Sequence, residues 1–237
     1  MSVCCSTGVM KRLGVIGGLG TAESNDFCLA VSNSVRALRS VQADICLEHL
    51  PISVVEEEKF IRGEVTEEHR LLLRKAVQRL NLVEVDVIAI PCNTVHIFLD
   101  ELRALSRAPI VSIVEESVKE CQKRVIRKVG LLASTRTIQD RLFEQEFQQG
   151  KIQTLCPDVQ SQDQVSNIII KTLNGTSTIP DRKFLLSLIH TLQQQQCEAI
   201  ILGCTNFSTL LSGEDSRLPI IDTQKILQQA TVEILLS

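Results

Sequence analysis

The strongest constraint on the fold is a regular alternation of short apolar runs with helical stretches along nearly all 237 residues. Eight runs rich in Val, Ile and Leu have the length and character of buried strands. They cover residues 12–16, 44–48, 86–90, 110–113, 128–132, 152–155, 199–202 and 219–221. Short, wholly apolar strands separated by helices predict parallel sheets with helices on both faces, that is, an α/β fold.

The stretches between these runs have helical periodicity. Leu73, Ala76, Val77 and Leu80, for example, recur at the spacing of one helix face. Helices are predicted over residues 21–38, 67–80, 114–125, 137–148, 163–173, 181–196 and 223–235.

A weak internal repeat suggests that the chain has two halves. Residues 85–94 read VDVIAIPCNT and residues 197–206 read CEAIILGCTN, so each is an apolar strand that ends in Cys followed within two residues by Thr. Ligands of parallel α/β sheets gather at the carboxyl ends of the strands. We therefore predict a first α/β domain of residues 1–114 plus 212–237, a second of residues 115–211, and a site in the cleft between them.

Charge and aromatic content argue against nucleic acid as a partner. The formal net charge is −3, Tyr and Trp are absent, and aromatic residues make up 3 % of the chain. Such a chain offers neither a field for phosphates nor platforms for base stacking. No stretch of about 18 apolar residues is present to span a membrane, and the first eleven residues do not resemble a signal peptide.

Cysteine usage favours a reducing cytoplasm. The nine cysteines are odd in number, irregularly spaced and free of any CxxC pair, so neither a disulfide framework nor a zinc site is predicted. Cys4 and Cys5 look like tail residues. The four histidines are too scattered for a metal site, and His96 is interpreted as a residue in the first turn of a helix.

Cys92 and Cys204 are the candidate catalytic residues. Each directly follows a predicted strand, where the N–H groups of a following turn or helix can stabilise a thiolate and lower its pKa. One cysteine at a strand end is easily a coincidence, but two in matched contexts favour a function.

Two thiols suit the racemisation of an amino acid. That reaction removes the proton of Cα from one face and returns a proton to the other, so two acid/base groups must stand opposite each other. The carbanion also needs hydrogen bonds to the substrate carboxylate. Asn93, Thr94 and Thr205 lie beside the thiols and could supply them, although turn and capping roles are equally common for these residue types.

The glycine-rich segment GVIGGLGTAES, residues 14–24, fails as a dinucleotide-binding fingerprint. Gly18 and Gly20 fit the first two positions, but Glu23 occupies the third. A loop whose backbone approaches an anionic substrate is the functional interpretation, and a plain tight turn is the alternative. The acidic run Glu56–Glu58 is interpreted as a solvated helix start rather than a carboxylate site.

With these motifs in place, the chain resembles the aspartate/glutamate racemase family over essentially its whole length. The matching motifs, in the family's order and spacing, are GGLG at 17–20, PCNT at 91–94, VGLLAST at 129–135 with Thr137, LGCT at 202–205 and IIDT at 220–223. The resemblance implies two Rossmann-like domains related by pseudo-twofold symmetry, with the active site between them. It also implies no cofactor, no metal and a homodimer.

The resemblance carries the two catalytic cysteines over to Cys92 and Cys204, with an amino acid, aspartate or glutamate, as the expected substrate. The substrate-binding residues that it implies are Asn93, Thr94, Thr205, Thr137, Lys171 and Leu19.

The sequence also departs from the family pattern. Thr21 stands where Pro usually follows the glycine turn, and Asn206 follows GCT where Glu is common. Many members carry an arginine that binds the substrate's side-chain carboxylate where this chain has Ile52 and Ser53, and Arg62 is only a distant substitute. Two alternatives therefore stay open: an isomerase or decarboxylase of a small dicarboxylate, and an inactive amino-acid-binding relative.

Overall fold

A computed structural model describes residues 10–237, so Cys4 and Cys5 lie outside the described residues. The chain forms two four-stranded parallel sheets, in the orders β2-β1-β3-β4 and β6-β5-β7-β8. The strands are β1 (Arg12–Gly17), β2 (Asp44–His49), β3 (Val87–Ala89), β4 (Ile110–Val111), β5 (Lys128–Ala133), β6 (Gln153–Leu155), β7 (Ala199–Gly203) and β8 (Ile220–Asp222). The predicted α/β class and all eight predicted strands are confirmed, and one sheet topology occurs twice.

Ten α-helices cover the sheets within the described residues. They are α1 (Thr21–Arg39), α2 (Val54–Ile61), α3 (Glu67–Leu82), α4 (Leu99–Leu105), α5 (Ile113–Lys123), α6 (Thr135–Gln139), α7 (Leu142–Gln149), α8 (Val159–Leu173), α9 (Ile179–Gln194) and α10 (Thr223–Leu236). The single helix predicted over residues 137–148 was wrong. Arg141 has a left-handed backbone (φ 53°), which separates α6 from α7.

Helix α2 starts at a side-chain cap. The hydroxyl oxygen of Ser53 accepts a hydrogen bond from the backbone N–H of Glu56 at 3.2 Å, which satisfies one of the unpaired donors of the first turn. The cap stabilises the start of α2, which packs against α8 and α6 of the second half. Arg62, which follows α2, donates to the Asn167 side chain at 2.8 Å and adds a polar contact across the same junction.

One apolar core runs through both halves. Its buried members include Leu13 and Val15 of the first sheet and Val129 and Leu131 of the second. Helices α5 and α10 lie between the sheets and pack against each other. In addition, α5 packs against α7, and α10 packs against α1. Each sheet's outer face is covered by a separate apolar cluster.

The predicted division at residue 212 does not follow the sheets. Strand β8 was assigned with residues 212–237 to the first domain, but Ile220 and Ile221 pair with β7 in the second sheet. Only the helix that follows, α10, reaches across to α1 of the first half. The sequence missed this because a three-residue strand gives no sign of its partner.

Within residues 10–237, no helix combines the length and the apolar character needed to cross a membrane.

Candidate active site

The two candidate thiols lie at equivalent points of the two sheets. Cys92 comes three residues after β3 and leads into the 3₁₀ helix Thr94–Phe98, while Cys204 directly follows β7 and leads into the 3₁₀ helix Thr205–Thr209. Strands β3 and β7 hold the same place in their sheets. Both thiols line one cavity between the halves and are partly accessible there.

The walls of this cavity divide into a polar and an apolar part. Its polar residues other than the thiols are Asn93, Thr94, Ser134, Thr205, Asn206 and Glu57. Its apolar residues are Leu19, Phe60, Ile61, Ile169 and Leu173. Only about 30 Å³ is open to the centres of water molecules, which is room for about two waters. The cavity is therefore narrow in this structure.

Burial dominates the acidity of both thiols, and the expected lowering of their pKa values was wrong. Burial raises the pKa of Cys92 to about 12, against the lowering effect of the Val95 and Thr94 N–H groups. Burial likewise raises the pKa of Cys204. The negative charges of Glu57 and Glu23 act in the same direction on both. Short 3₁₀ turns supply too few N–H donors to offset this desolvation.

A hydrogen-bonded chain links Cys204 to a buried carboxyl group. The thiol donates to Asn206 Oδ1 at 3.3 Å, and Asn206 Nδ2 donates to Glu23 Oε1 at 2.5 Å. Glu23 is 8 % exposed, and burial raises its carboxyl pKa. Asn206, the residue after GCT, thus carries an amide that reaches a carboxyl group on α1. The sequence alone gave no sign of this partner, because Glu23 is 183 residues away.

Asn93 lines the cavity, and only the nitrogen of its side-chain amide has a hydrogen-bond partner among the described atoms. Its Nδ2 donates to Thr223 Oγ1 at 3.0 Å, and the Thr223 hydroxyl donates to the carbonyl of Leu202 at 2.8 Å. The Thr223 proton is therefore committed, so Thr223 Oγ1 can only accept from Asn93, which fixes the orientation of the amide. Asn93 Oδ1 is buried and has no hydrogen-bond partner among the described atoms.

Three hydroxyl groups form a buried cluster beside Asn93. Thr94 Oγ1 lies 2.9 Å from Ser134 Oγ and accepts from Thr137 Oγ1 at 3.1 Å. Thr94 and Ser134 line the cavity, whereas Thr137 is fully buried and lies behind them. Ser134 also caps α6 by accepting from the Thr137 N–H at 3.2 Å. The cluster places hydroxyl donors where an anionic group could be bound.

The other predicted substrate-binding residues divide between the cavity and its surroundings. Thr205 and Leu19 line the cavity. Lys171 does not, because its ammonium group bonds Asp181 Oδ1 at 2.8 Å and ties α8 to the capped start of α9. This ion pair lowers the Asp181 carboxyl pKa, so the structure assigns Lys171 a structural contact away from the thiols.

The backbone of the glycine turn after β1 binds a carboxylate of the protein itself, that of Glu57. Gly20 N–H donates to Glu57 Oε1 at 2.8 Å, and Gly18 N–H donates to Ser24 Oγ at 3.2 Å. The interpretation of Glu56–Glu58 as a solvated helix start was wrong for Glu57, which lines the cavity and whose carboxyl pKa is raised by burial. Glu57, Phe60 and Ile61 fall at helical spacing, a pattern that could have revealed the cavity-facing side of α2.

His96 lies behind Cys92 rather than in the cavity. Its Nδ1 is 2.9 Å from the Cys92 carbonyl oxygen, and its Nε2 accepts from the Ile113 N–H at 3.2 Å. Accepting at Nε2 requires the proton at Nδ1, which then donates to the carbonyl. Burial lowers the pKa of His96 to about 4, so the ring is neutral at pH 7. Its far side lines a separate polar cavity of about 420 Å³.

Metal ligands do not converge in the part of the chain that the structure describes, since no group of three or more His, Cys, Asp or Glu side chains is placed to hold an ion.

The model of one known family, Asp/Glu/Hydantoin racemase, matches residues 13–231. The chain belongs to this family. The match covers both sheets, both thiols and most of α10. Membership of the Asp/Glu/hydantoin racemase family agrees with the resemblance seen in the sequence motifs.

Individual proteins are also similar to this chain over nearly its whole length. The broad specificity amino-acid racemase RacX of Bacillus subtilis (strain 168) is 24 % identical over 226 residues, covering 95 % of this chain and 98 % of its own. A candidate Asp/Glu racemase from Yersinia pestis superposes with a TM-score of 0.84 at 24 % identity, covering 96 % and 100 %. An aspartate racemase homologue from Pyrococcus horikoshii OT3 superposes with a TM-score of 0.77 at 20 % identity, with the same coverage. The two structures are similar in fold.

In this racemase-family chain, Ile52 and Ser53 stand where the resemblance led us to expect a substrate-binding arginine, and both have other contacts. Ser53 caps α2, and Ile52 packs against the apolar cluster of the first half. Among the described residues that line the cavity, none is Lys or Arg.

Proposed function

We propose that the protein racemises an amino acid without a cofactor, using Cys92 and Cys204 as opposed acid/base thiols. The observation that carries the proposal is that two equivalent strand ends, one from each sheet, deliver a thiol to the same cavity. Two-sided proton transfer at Cα needs this pairing, because one base cannot easily serve both faces. The family membership supports the same reaction class.

In this mechanism the thiolate of one cysteine takes the Cα proton. The electron pair of the broken C–H bond remains on the substrate and delocalises into its carboxylate group. The other cysteine, as a thiol, donates its proton to the opposite face of Cα and becomes the thiolate. The charge on the protein is unchanged overall, and the two thiols have exchanged roles.

The substrate itself would relieve the high pKa of the thiols. Burial is the largest cause of both raised thiol pKa values, and the charges of Glu23 and Glu57 add to it. An incoming α-ammonium group brings positive charge into the same cavity and favours the thiolate. Asn93 Oδ1, which is a buried acceptor with no described partner, is suited to receive one of the ammonium protons.

The substrate carboxylate would lie against hydroxyl donors. Thr94, Ser134 and Thr205 line the cavity beside the thiols. Hydrogen bonds from such groups strengthen as negative charge develops on the carboxylate in the transition state. Thr137 supports this arrangement indirectly through its hydrogen bond to Thr94.

The proposal is tested by α-proton exchange and inversion in D₂O, followed by NMR on a panel of L- and D-amino acids. We expect Cys92→Ser and Cys204→Ser each to lower racemisation by about 10²–10⁴-fold, the usual contribution of a positioned acid or base. Cys46→Ser is the matched control, because Cys46 lies on β2 outside the cavity. Normal racemisation by either active-site variant would contradict the two-thiol mechanism.

The same panel separates the alternatives. Conversion of an unsaturated diacid without amino-acid inversion would favour the isomerase or decarboxylase alternative. Saturable thermal stabilisation by an amino acid without exchange at Cα would favour an inactive binding relative. A homodimer and a cytoplasmic location stay predictions. Light scattering, which measures the mass of the protein in solution, would test the first.

A further inference from the structure

We propose that this cleft selects amino acids with an uncharged or cationic side chain over aspartate and glutamate, and that Glu57 determines this specificity. The inference rests on the proposed racemase function and names its substrate class. It concerns the part of the cavity that would surround the substrate side chain.

Glu57 lines the cavity with a carboxylate that has a hydrogen bond but no ion-pair partner among the described residues. Its Oε1 accepts from the Gly20 N–H at 2.8 Å. No Lys, Arg or His within residues 10–237 forms an ion pair with it. Burial raises the Glu57 pKa, as does repulsion from Glu23 and Glu58. A nearby cation would relieve this repulsion, and a further anion would increase it.

The remaining wall on this side is apolar. Phe60 and Ile61 follow Glu57 at helical spacing on α2, and Ile169 and Leu173 face them from α8. Such a wall accommodates methylene groups. It gives a second substrate carboxylate no compensating charge, so burying that carboxylate would cost free energy.

The α-amino group does not need Glu57 as its partner. The buried Asn93 Oδ1 offers a separate acceptor beside Cys92. The carboxylate of Glu57 is therefore left to meet the side chain of the substrate. Glutamine and glutamate test this assignment directly, because the two differ in charge but hardly in size.

The experiment compares kcat/KM for glutamine, glutamate, lysine and norleucine in the α-proton exchange assay. In the unaltered protein we expect glutamine and lysine each to exceed glutamate by at least about tenfold, the effect of one well-placed like-charge contact. A rate for glutamate equal to or above that for glutamine would overturn the proposal. This comparison requires no variant, so it does not depend on any variant folding.

The variant Glu57→Gln assigns the effect to the residue. Its amide oxygen can still accept from Gly20, so only the charge is removed. We expect the glutamine-to-glutamate and lysine-to-norleucine ratios to fall about tenfold. Glu58→Gln is the matched control on the same helix, outside the cavity lining, and should change both ratios much less than Glu57→Gln does, because Glu58 acts on the cavity only through its repulsion of Glu57. An equal loss for all four substrates would instead show that Glu57 binds the common α-ammonium group.

Failure of the racemase function would look different from failure of this inference. It would appear as no exchange at Cα with any of the four amino acids. The preference would then be measured as thermal stabilisation by the same ligands. Stronger stabilisation by glutamine and lysine than by glutamate supports the inference, and the reverse order overturns it.

Discussion

At the residue scale, His96 shows how a side chain outside the cavity can position a reacting group. Its ring bridges the Cys92 carbonyl and the Ile113 N–H, and so holds the turn that carries the thiol against the start of α5. Both bonds require the neutral ring with its proton on Nδ1. Protonation would place a second proton against the Ile113 N–H and break that contact.

The pH dependence of the unfolding free energy should report the protonation of the His96 ring. The folded pKa of about 4 lies below the unfolded value of about 6.5, so the unfolded chain binds the proton first as pH falls. The stabilisation is present above pH 6.5 and is lost toward pH 4. Between pH 7 and pH 5 we expect a loss of about 2 kcal/mol in unfolding free energy from His96.

Denaturant titrations of the unaltered protein and of His96→Gln at the two pH values measure this loss, because the amide does not titrate. The variant should lose about 2 kcal/mol less than the unaltered protein over this interval. Equal losses would show that His96 does not titrate as the structure implies.

Sequence could identify the thiols but not their surroundings. Cys92 and Cys204 follow strands that periodicity locates, so their placement at one cleft was predictable. Glu57 lines the cavity from α2, and Glu23 on α1 contacts the cavity residue Asn206, which is 183 residues away in the chain. The contact of Glu23 depends on tertiary packing and leaves no periodic pattern in the sequence, whereas the helical spacing of Glu57, Phe60 and Ile61 indicates one side of α2 but not the cavity that this side faces.

At the scale of elements, the turn between β1 and α1 depends on glycine at one position above all. Gly18 has φ +90°, and a Cβ there would meet the backbone oxygen and nitrogen of Leu50 at 2.5 and 2.7 Å. Both the left-handed conformation and the close approach of the β2–α2 connection therefore exclude a side chain. This approach brings the connection that precedes α2 beside the glycine turn.

Three alanine substitutions separate these two effects. Gly18→Ala should lower the unfolding free energy by more than about 2 kcal/mol, because it adds a clash to the unfavourable φ. Gly175→Ala, with φ +66° and nothing within 4 Å, should cost about 1 kcal/mol. Gly213→Ala, in open space, should change it by less than about 0.5 kcal/mol. Equal losses in denaturant titration for Gly18→Ala and Gly175→Ala would argue against the clash.

Elements with strong local signals were predictable, and those that depend on partners were less so. All eight strands were found because buried parallel strands are continuously apolar. The break at Arg141 and the sheet membership of β8 were missed, because neither a left-handed residue nor the partner of a three-residue strand is specified locally.

At the scale of the whole molecule, the shared core implies that both halves unfold together. Leu227 of α10 is fully buried in the cluster that includes both sheets. Leu227→Ala should lower the unfolding free energy by about 2–5 kcal/mol. Amide hydrogen exchange should accelerate equally in β1 and β5, since one core stabilises both.

Ile179→Ala is the control for this prediction, because Ile179 is 73 % exposed and should contribute less than about 0.5 kcal/mol. Faster exchange in only one of the two strands would show that the halves unfold separately.

The exchange of helices between the halves has a consequence for how such a chain could arise. The helix after β4, α5, packs against α7 of the second half, and the helix after β8, α10, packs against α1 of the first. A single copy of the repeat would keep the contacts of its last helix with its own sheet but would lack the helix that covers it in the other half. Two such copies could cover each other's last helices in a domain-swapped dimer. Because each copy would carry one strand-end cysteine, such a dimer would bring two thiols to one cleft, as the two halves of this chain do.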